Sequence, residues 1–287
     1  MPRVRTALLF PGQASQRPGM GAAWVGTPGW ELVDRASGVL DRDLVWLLLD
    51  ASADELRPTA EAQLAVFLTS LVVLASLPPG QVLAGHSLGE ITALVAAGVL
   101  GFEDGVRLVA ERGAAMHDTA PGTMAAVLGL EDDGFTDLPD GAWAANWNAP
   151  LHVVISGTHE GVAAAGSVLR ARGARRVLPL QVGGGFHTPL MAPARPRFEV
   201  ALAAATWSEP RVPVWQAETT RLYDGDAPQA LSRQLTAAVR WRQLLEQLDV
   251  DRLVEVGPGA VLTGLAKRTR PDLPALSVAG PDDLEQL

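Results

Sequence analysis

The sequence predicts an α/β protein built on a parallel sheet, with a small antiparallel subdomain inserted into it. Predicted strands and helices alternate on both sides of residues 123–187, which is the pattern of a parallel sheet with crossover helices. Within 123–187 the order changes to strand, broken segment, two strands, helix and strand, which is typical of a ferredoxin-like unit. We therefore expect a large domain of residues 1–122 and 188–287 and a small ferredoxin-like subdomain of residues 123–187.

The N-terminal part of the large domain contains two predicted strands separated by helices. Apolar residues recur with the 3.6-residue period from Leu64 onwards, which predicts a core helix over about residues 60–76. The other elements predicted here are a strand at 4–10, helices near 29–40 and 42–50, a strand at 82–84, and helices at 88–98 and about 102–118.

The predicted insertion contains several strands and one full helix. They are strands at 123–130, 142–149, 151–157 and 177–182, and a helix at 158–173 that Gly173 closes. The acidic segment 131–141 has room for a turn or one very short helix. We therefore expect the first helix of the ferredoxin-like order to be eroded.

The chain is predicted to return to the large domain through a glycine run that ends at Gly185. Thr188 then caps a helix that has Pro189 at its first position, a favourable arrangement. The remaining predicted elements are a strand at 212–217, one long helix over 227–248, a strand at 253–256, a helix to about residue 268 and a strand at 276–278.

The composition is that of a globular protein and excludes several classes of function. Of 287 residues, 48% are hydrophobic and none is cysteine, which excludes disulfides, a cysteine nucleophile and thiolate metal sites. The net charge of −9 argues against nucleic acid as a general partner. The longest apolar stretch, residues 64–77, is shorter than a bilayer span, and the run Ala7–Phe10 is too short for a signal peptide. We expect a cytoplasmic protein without membrane contact.

A Gly-x-Ser-x-Gly sequence, Gly85-His86-Ser87-Leu88-Gly89, lies between a predicted buried strand and an apolar helix. This context is typical of a nucleophile elbow, in which a sharp turn lifts the serine hydroxyl above the sheet. Ser87 would stand at a helix N-terminus, where free N–H groups and the helix dipole favour developing negative charge. The elbow therefore predicts a serine nucleophile and an α/β-hydrolase-like large domain.

Ser87 needs a general base, and the sequence contains five histidines. His187 is the strongest candidate because it follows a glycine run and precedes a helix, a junction that can face a cleft. A third member of a triad is not evident. Many acidic residues follow His187, and none has a distinctive setting.

Short segments along most of the chain, from about residue 7 to 268, resemble one enzyme family. In order, they are Phe10-Pro11-Gly12-Gln13, Gly85-His86-Ser87-Leu88-Gly89, Glu111-Arg112-Gly113, Ala145-Asn146-Trp147-Asn148, Ile155-Ser156-Gly157, Phe186-His187-Thr188-Pro189-Leu190-Met191, Gln234-Leu235-Thr236 and Val254-Glu255-Val256-Gly257-Pro258-Gly259. Together they are similar to the malonyl-CoA:acyl-carrier-protein transacylases and to the acyltransferase domains of polyketide synthases.

The resemblance implies malonyl transfer through a seryl acyl-enzyme. Ser87 would attack the thioester of malonyl-CoA. His187 would accept its proton and later assist attack by the phosphopantetheine thiol of an acyl carrier protein. A backbone carbonyl near Leu248–Val250 would orient the histidine in place of an acid, and the backbone N–H groups of Gln13 and Leu88 would form the oxyanion hole. No cofactor is implied beyond acyl-CoA as substrate and the phosphopantetheine of the partner.

Four further residues are implied to bind the substrate. Arg112 would pair with the free malonyl carboxylate through its planar fork. Phe186 goes with malonyl rather than methylmalonyl in this family, since its ring would fill the space near C2. Asn148 is expected to line the cleft, with strand-end hydrogen bonding as the alternative. Gln63 is expected to support the oxyanion loop, with a position on the helix surface as the alternative.

Other functions stay open at this point. A transacylase for a different acyl group would use the same fold, a serine esterase or thioesterase would use the same elbow, and a non-catalytic subunit would only bind acyl groups. Arg112 disfavours the esterase, because an uncharged acyl chain has no need of a buried cation.

An acidic carrier protein would need local positive patches on this acidic chain. Two basic clusters meet that need, with ordinary solvated surface as the alternative. They consist of Arg170, Arg172, Arg175 and Arg176, and of Lys267, Arg268 and Arg270.

Overall fold

Strands and helices alternate along most of the chain in the computed structural model, which describes residues 4–119 and 122–287. The strands in these ranges are β1 (Thr6–Phe10), β2 (Val82–Gly85), β3 (Thr123–Leu128), β4 (Ala142–Ala149), β5 (His152–Gly157), β6 (Arg176–Pro179), β7 (Val214–Gln216), β8 (Arg221–Leu222), β9 (Arg252–Val256) and β10 (Ala275–Val278). The α-helices are α1 (Glu31–Leu40), α2 (Leu44–Leu49), α3 (Thr59–Leu74), α4 (Gly89–Ala96), α5 (Phe102–His117), α6 (His159–Ala171), α7 (Arg195–Ala204), α8 (Ala227–Gln234), α9 (Trp241–Gln247) and α10 (Val261–Thr269).

The larger sheet has the strand order β10-β9-β1-β2-β7-β8 and confirms the predicted parallel sheet. All its pairs are parallel except that of β8, a short edge strand the sequence did not reveal. Every residue of β1 is buried, as expected of a central strand with both faces covered. The strand β1 is in register with β2, with Phe10 opposite Gly85. The loops that carry Gln13 and Ser87 therefore leave the same edge of the sheet.

The helix α3 is the central core helix, as its apolar pattern predicted. Every residue from Ala62 to Val73 is buried. It packs closely on α5, where a Cβ on Gly113 would lie 2.7 Å from Cα of Ala60. This close approach places Gln63 of α3 beside Arg112 of α5. In the described ranges, neither α3 nor any other helix has both the length and the hydropathy that a bilayer span requires.

The second sheet is antiparallel, with the order β4-β5-β3-β6, and all its strands lie within the predicted insertion. A 3₁₀ helix at Asp132–Phe135 stands where an eroded helix was expected. The register of β4 against β5 shifts twice, once on each side of Asn146-Trp147. Such bulges re-aim side chains, and here Asn146 and Asn148 line a cavity. The division into two domains stays a prediction, and residues 1–3, 120 and 121 of its first segment lie outside the described ranges.

One predicted element is wrong. The long helix expected over 227–248 is two helices, since α8 ends at Gln234 and α9 begins at Trp241. Between them the chain extends along β4. The N–H of Val239 donates to the carbonyl of Ala145, and the N–H of Trp147 donates to the carbonyl of Val239, both over 2.8 Å. These bonds to the second sheet replace helical ones, so tertiary pairing overrides the local helical pattern.

Candidate active site

The turn between β2 and α4 brings Ser87 to the carboxyl edge of the parallel sheet. Its glycines allow contacts that no other residue could make. A Cβ on Gly85 would lie 1.9 Å from the backbone of Gly89, and a Cβ on Gly89 would lie 2.0 Å from the Phe10 carbonyl oxygen. Ser87 itself has a φ of 53°, in the left-handed region. A nucleophile elbow holds its serine in this sharp, strained turn.

The predicted base meets the predicted nucleophile. The Oγ of Ser87 lies 2.7 Å from Nε2 of His187, although 100 residues separate them in the sequence. His187 directly precedes the 3₁₀ helix Pro189–Ala194, and it also has a left-handed φ, of 59°. The hydroxyl of Thr188 caps that helix and donates to the Gly185 carbonyl over 2.5 Å. The cap and the strained turn hold the imidazole against Ser87.

Two backbone carbonyls orient His187, as expected, but they are not those of the expected segment. Nδ1 of His187 lies 3.0 Å from the carbonyl oxygen of Gln234 and 3.2 Å from that of Ala237. The expectation of Leu248–Val250 is wrong, because the Leu248 carbonyl accepts from Arg270 instead. The last carbonyls of a helix lack intrahelical partners. The end of α8 at Gln234 therefore supplies the acceptor.

These contacts define the state of the imidazole. A carbonyl only accepts, so Nδ1 carries the proton and Nε2 is left to accept the proton of Ser87. Burial and, to a lesser extent, the nearby charges of Arg112 and His86 lower the pKa of His187, the carbonyls of Gln234 and Ala237 oppose the shift, and the net pKa is about 3. His187 is neutral at physiological pH and is able to act as a base.

Arg112 lies on α5 with 1% of its surface exposed. Its Nη1 donates to Oε1 of Gln63 over 2.7 Å. Its Nη2 donates to Oγ of Ser87 over 3.1 Å and to Oε1 of Gln234 over 2.9 Å. All three acceptors are neutral, and its Nε has no hydrogen-bond partner in the part of the chain that the structure describes. The salt bridges within 4–119 and 122–287 do not include Arg112.

The charge of Arg112 survives its burial. Burial lowers its pKa to about 10, and the negative charge of Glu90 opposes that shift. The guanidinium is therefore protonated at neutral pH while no carboxylate contacts it directly. A buried cation without a partner in contact is costly. The arrangement is suited to receiving an anionic group beside Ser87.

The amides of Gln63 and Asn148 are placed differently from one another. Gln63 is buried, so the alternative of a helix-surface position is wrong, and it bonds to Arg112 with its Nε2 3.3 Å from the sulfur of Met116; its support of the oxyanion loop stays a prediction. Oδ1 of Asn148 lies 2.9 Å from Nε2 of His86, the residue directly before Ser87 in the elbow. Gln63 acts on Arg112, and Asn148 acts on the elbow.

The predicted oxyanion donors flank Ser87 from two loops. Gln13 follows β1 and Leu88 follows Ser87, and both line the cavity beside the hydroxyl. Among the described residues, no acceptor is recorded for the backbone N–H of Gln13 or of Leu88. Both groups are available to a ligand oxygen.

All the predicted site residues line one cavity of about 220 Å³. They are Gln13, Gln63, Ser87, Leu88, Arg112, Asn148, Phe186 and His187. The rest of the wall is largely apolar, with Met116, Met124 and Val154 among its members. The ring of Phe186 is 5% exposed and closes this wall next to His187. The described residues contain no cluster of three or more metal-ligating side chains.

Two residues at the site had no predicted role. Gln234 belongs to a segment that the resemblance rests on, but its side chain was given no function. Glu90 is a carboxylate in an otherwise apolar helix and is 2% exposed. Burial raises the pKa of Glu90 to about 7, hydrogen bonds from Gln234 and Ala217 oppose the shift, and the charge of Glu218 adds to it. A charged residue inside an apolar helix was the signal that could have identified Glu90.

Comparison with known proteins gives a consistent result. Residues 7–281 match the acyl transferase domain family. The chain is 40% identical to the malonyl CoA-acyl carrier protein transacylase of Escherichia coli K12, over 96% of each protein. It superimposes with a TM-score of 0.92 on an acyl carrier protein S-malonyltransferase from Vibrio cholerae, at 35% identity, covering 98% of this chain and 99% of that one.

A further structural relative contains a partner. It is the holo PlMCAT:AntF complex, a type II PKS acyl-carrier protein with its malonyl-transacylase, with a TM-score of 0.92 and 35% identity over 98% of each chain.

Proposed function

The chain belongs to the acyl transferase domain family, and on that premise we propose that it moves a malonyl group from malonyl-CoA to the phosphopantetheine thiol of an acyl carrier protein. The observation that carries the choice of acyl group is Arg112. Its guanidinium is charged, buried and 3.1 Å from the Ser87 hydroxyl. A carboxylate on the acyl group would provide the anionic partner that this cation lacks.

The first half-reaction acylates the enzyme. Ser87 Oγ attacks the thioester carbonyl carbon of malonyl-CoA while its proton passes to Nε2 of His187. The tetrahedral intermediate collapses, the carbon–sulfur bond breaks, and the CoA sulfur leaves with the proton held by His187. The products are malonyl-Ser87 and free CoA.

The second half-reaction reverses these roles. The phosphopantetheine thiol gives its proton to His187 and attacks the ester carbonyl of malonyl-Ser87. The carbon–oxygen bond breaks, and Oγ takes the proton back. Protons and acyl group are exchanged only among Ser87, His187 and the two thiols, so the reaction as written balances without a cofactor.

Both steps build negative charge on the same carbonyl oxygen. We assign its stabilisation to the N–H groups of Gln13 and Leu88, which have no acceptor among the described residues and belong to residues that line the cavity beside Ser87. Leu88 directly precedes α4, at the helix end where the dipole favours negative charge. Losing one such donor typically costs about 2.7–4 kcal/mol of transition-state stabilisation.

The direct test is intact-protein mass spectrometry. After incubation with malonyl-CoA, we expect one malonyl adduct on Ser87 that disappears when holo acyl carrier protein is added, with malonyl appearing on the carrier. Loss of the adduct to water without the carrier would favour the esterase. Acylation only from an acyl carrier protein, and not from malonyl-CoA, would favour a transacylase for another acyl group.

Replacing Arg112 with alanine should remove selectivity for the charged acyl group. Each charge-assisted hydrogen bond contributes about 1.5–3 kcal/mol, so loss of a fork of two lowers kcat/KM for malonyl-CoA by about 10²-fold or more. Acylation by acetyl-CoA, which has no carboxylate, should change much less. The measurement is single-turnover acylation of Ser87 with each thioester.

Arg107→Ala is the matched control for Arg112. Arg107 lies on the same helix but is exposed and pairs with Asp104. We expect it to leave both rates unchanged. Equal losses for malonyl-CoA and acetyl-CoA in Arg112→Ala would refute the carboxylate clamp.

The carrier protein is proposed to dock on a groove of about 480 Å³ that unites parts of the two basic clusters. Leu128, Gly129, Leu151, Arg175, Arg176 and Arg268 line this groove. Arg268 also donates to Nδ1 of His152 over 3.3 Å, and His152 lines the active-site cavity. The groove therefore adjoins the entrance through which a phosphopantetheine arm would reach Ser87.

Other members of these clusters are engaged within the chain. Arg172 donates to the carbonyls of Gly134 and Thr136, and Arg270 pairs with Asp272. We assign these two arginines to folding rather than to docking because they do not line the groove, whereas Arg268 lines it while also donating to the Pro150 carbonyl over 2.8 Å.

Reversing the charge of the groove should weaken carrier binding selectively. In the variant Arg175→Glu with Arg268→Glu, we expect the KM for holo carrier protein to rise about tenfold, since such charges act mainly on encounter. Acylation by malonyl-CoA should change less than about threefold, and added salt should reduce the difference. Arg221→Glu on the edge strand β8 is the control. If acylation by malonyl-CoA and transfer to the carrier protein slow equally, the groove binds CoA rather than the carrier protein.

The finer description of the fold belongs to the same proposal. We interpret the second sheet as ferredoxin-like because its order β4-β5-β3-β6 and the position of α6 suit that unit. We interpret the larger domain as α/β-hydrolase-like because β2, Ser87 and α4 form a strand–turn–helix elbow. A cytoplasmic location, which the lack of cysteine suits, completes it.

A further inference from the structure

Glu90 is tied to Gln234 across the interior of the protein. Nε2 of Gln234 donates to Oε2 of Glu90 over 2.8 Å, and the N–H of Ala217 points to the same oxygen over 3.4 Å. Both side chains are almost fully buried. The reaction described above makes no use of this carboxylate, although it lies only three residues after Ser87.

Gln234 also contacts three residues of the catalytic centre, Arg112, Ser87 and His187. Its Oε1 accepts from Nη2 of Arg112 over 2.9 Å, and its Nε2 also donates to the backbone carbonyl of Ser87 over 3.2 Å. Its own backbone carbonyl accepts from Nδ1 of His187 over 3.0 Å. The side chain therefore serves Arg112, while the backbone serves His187.

The polarity of the Gln234 amide links Glu90 to Arg112. A guanidinium can only donate, and Oε2 of Glu90 is an acceptor here because it receives the N–H of Gln234. The amide therefore satisfies both neighbours in one orientation only, with Nε2 towards Glu90 and Oε1 towards Arg112. If the acceptor at Glu90 is removed, the buried N–H₂ group loses its 2.8 Å bond and retains the longer bond of 3.2 Å to the Ser87 carbonyl, so one N–H is left unpaired and the amide is held less firmly.

We propose that Glu90 is a positioning residue for acyl-group selection: through the Gln234 amide it fixes the direction in which Arg112 presents its guanidinium to the acyl group on Ser87. This inference rests on the proposed function, because Arg112 is there the partner of the malonyl carboxylate. Glu90 touches neither the substrate nor the reacting atoms. Its effect should therefore be confined to the charged acyl group.

The role requires an acceptor oxygen rather than a charge. In Glu90→Gln, the side-chain carbonyl can occupy the position of Oε2 and still accept from Gln234 and Ala217. In Glu90→Leu, no acceptor remains. Both variants keep a side chain of similar size, but only Glu90→Gln keeps the acceptor. Comparing them therefore isolates the effect of the hydrogen bond.

The test compares single-turnover acylation of Ser87 by malonyl-CoA and by acetyl-CoA. For Glu90→Leu we expect kcat/KM with malonyl-CoA to fall between about tenfold and a hundredfold, the usual range for a buried donor left unpaired. Acetyl-CoA should change less than about threefold. Glu90→Gln should retain the selectivity of the unmodified protein. Glu103→Leu, which removes an exposed carboxylate from α5, is the control.

Several outcomes would overturn the proposal. They are equal losses with both thioesters in Glu90→Leu, unchanged malonyl selectivity in that variant, or a Glu90→Gln variant as impaired as Glu90→Leu. If Glu90→Leu does not fold, Gln234→Leu decides, since it removes the amide but keeps the carbonyl that orients His187. In that variant too, kcat/KM must fall with malonyl-CoA and change much less with acetyl-CoA.

The same assay separates this inference from the proposed function. An unmodified protein that takes no malonyl from malonyl-CoA would refute the function itself. An unmodified protein that is malonylated, together with a Glu90→Leu variant of unchanged selectivity, would refute only the positioning role.

Discussion

Replacing Ser87 with alanine is expected to lower malonyl transfer by on the order of 10⁴–10⁶-fold, because in the proposed mechanism it removes the atom that carries the acyl group between the two thiols. Oγ of Ser87 is the hydroxyl 2.7 Å from the imidazole and 3.1 Å from the guanidinium. Both groups remain in the variant, so the cavity keeps its base and its cation. The variant should therefore lose activity while keeping the fold and its stability.

Three measurements check this result. Intact-mass analysis should show no malonyl adduct, transfer to the carrier should fall to background, and the melting temperature should stay close to that of the unmodified protein. Ser167→Ala is the control, since Ser167 is exposed on α6 and bonds only to the Ala163 carbonyl. A malonyl adduct on Ser87→Ala at the normal rate would contradict the assignment of the nucleophile.

Replacing His187 with alanine is expected to lower the acylation rate by about 10²–10⁴-fold, the usual contribution of a positioned general base. Ser87 would keep its hydroxyl but lose the acceptor for its proton. The variant should still bind malonyl-CoA, because Arg112 and the cavity walls remain. His159→Ala, at the exposed start of α6, is the control. A normal rate in His187→Ala would place the base elsewhere.

The pH dependence of the unmodified protein tests the same residue. Burial, with the charge of Arg112, lowers the pKa of His187 to about 3. The base is therefore already neutral at pH 5, and activity lost on acidification should return as the pH rises through that pKa. A bound malonyl carboxylate offsets the charge of Arg112, which raises the pKa of His187 in the complex.

The pH profiles of kcat and of kcat/KM should consequently differ. The profile of kcat/KM reports the free enzyme, and that of kcat reports the complex. We expect the acidic limb of kcat for acylation by malonyl-CoA to lie at higher pH than the acidic limb of kcat/KM. With acetyl-CoA, which brings no carboxylate, the two limbs should coincide. Coincident acidic limbs with malonyl-CoA would mean that the bound carboxylate does not offset the charge of Arg112 near His187.

The sequence by itself determined the local features of this protein. The Gly-x-Ser-x-Gly turn, the apolar period of α3, the alternation of strands and helices and the Thr188 cap depend on neighbouring residues, and they occur where the sequence predicted them. The predicted site residues line one cavity for a related reason. Gln13 and Ser87 follow strands whose carboxyl ends converge at one edge of the parallel sheet, and Arg112 occupies a buried helix position.

Only the tertiary structure decided how these residues are connected. The break between α8 and α9 depends on two hydrogen bonds of Val239 to another sheet, which no local propensity encodes. That break places the backbone carbonyl of Gln234 against His187. Because every residue type has a backbone carbonyl, no side-chain identity in the sequence reveals this contact. The partner of Gln63 depends likewise on the close packing of α3 on α5. Local patterns specify elements, whereas contacts between distant segments depend on packing that is settled only when the elements meet.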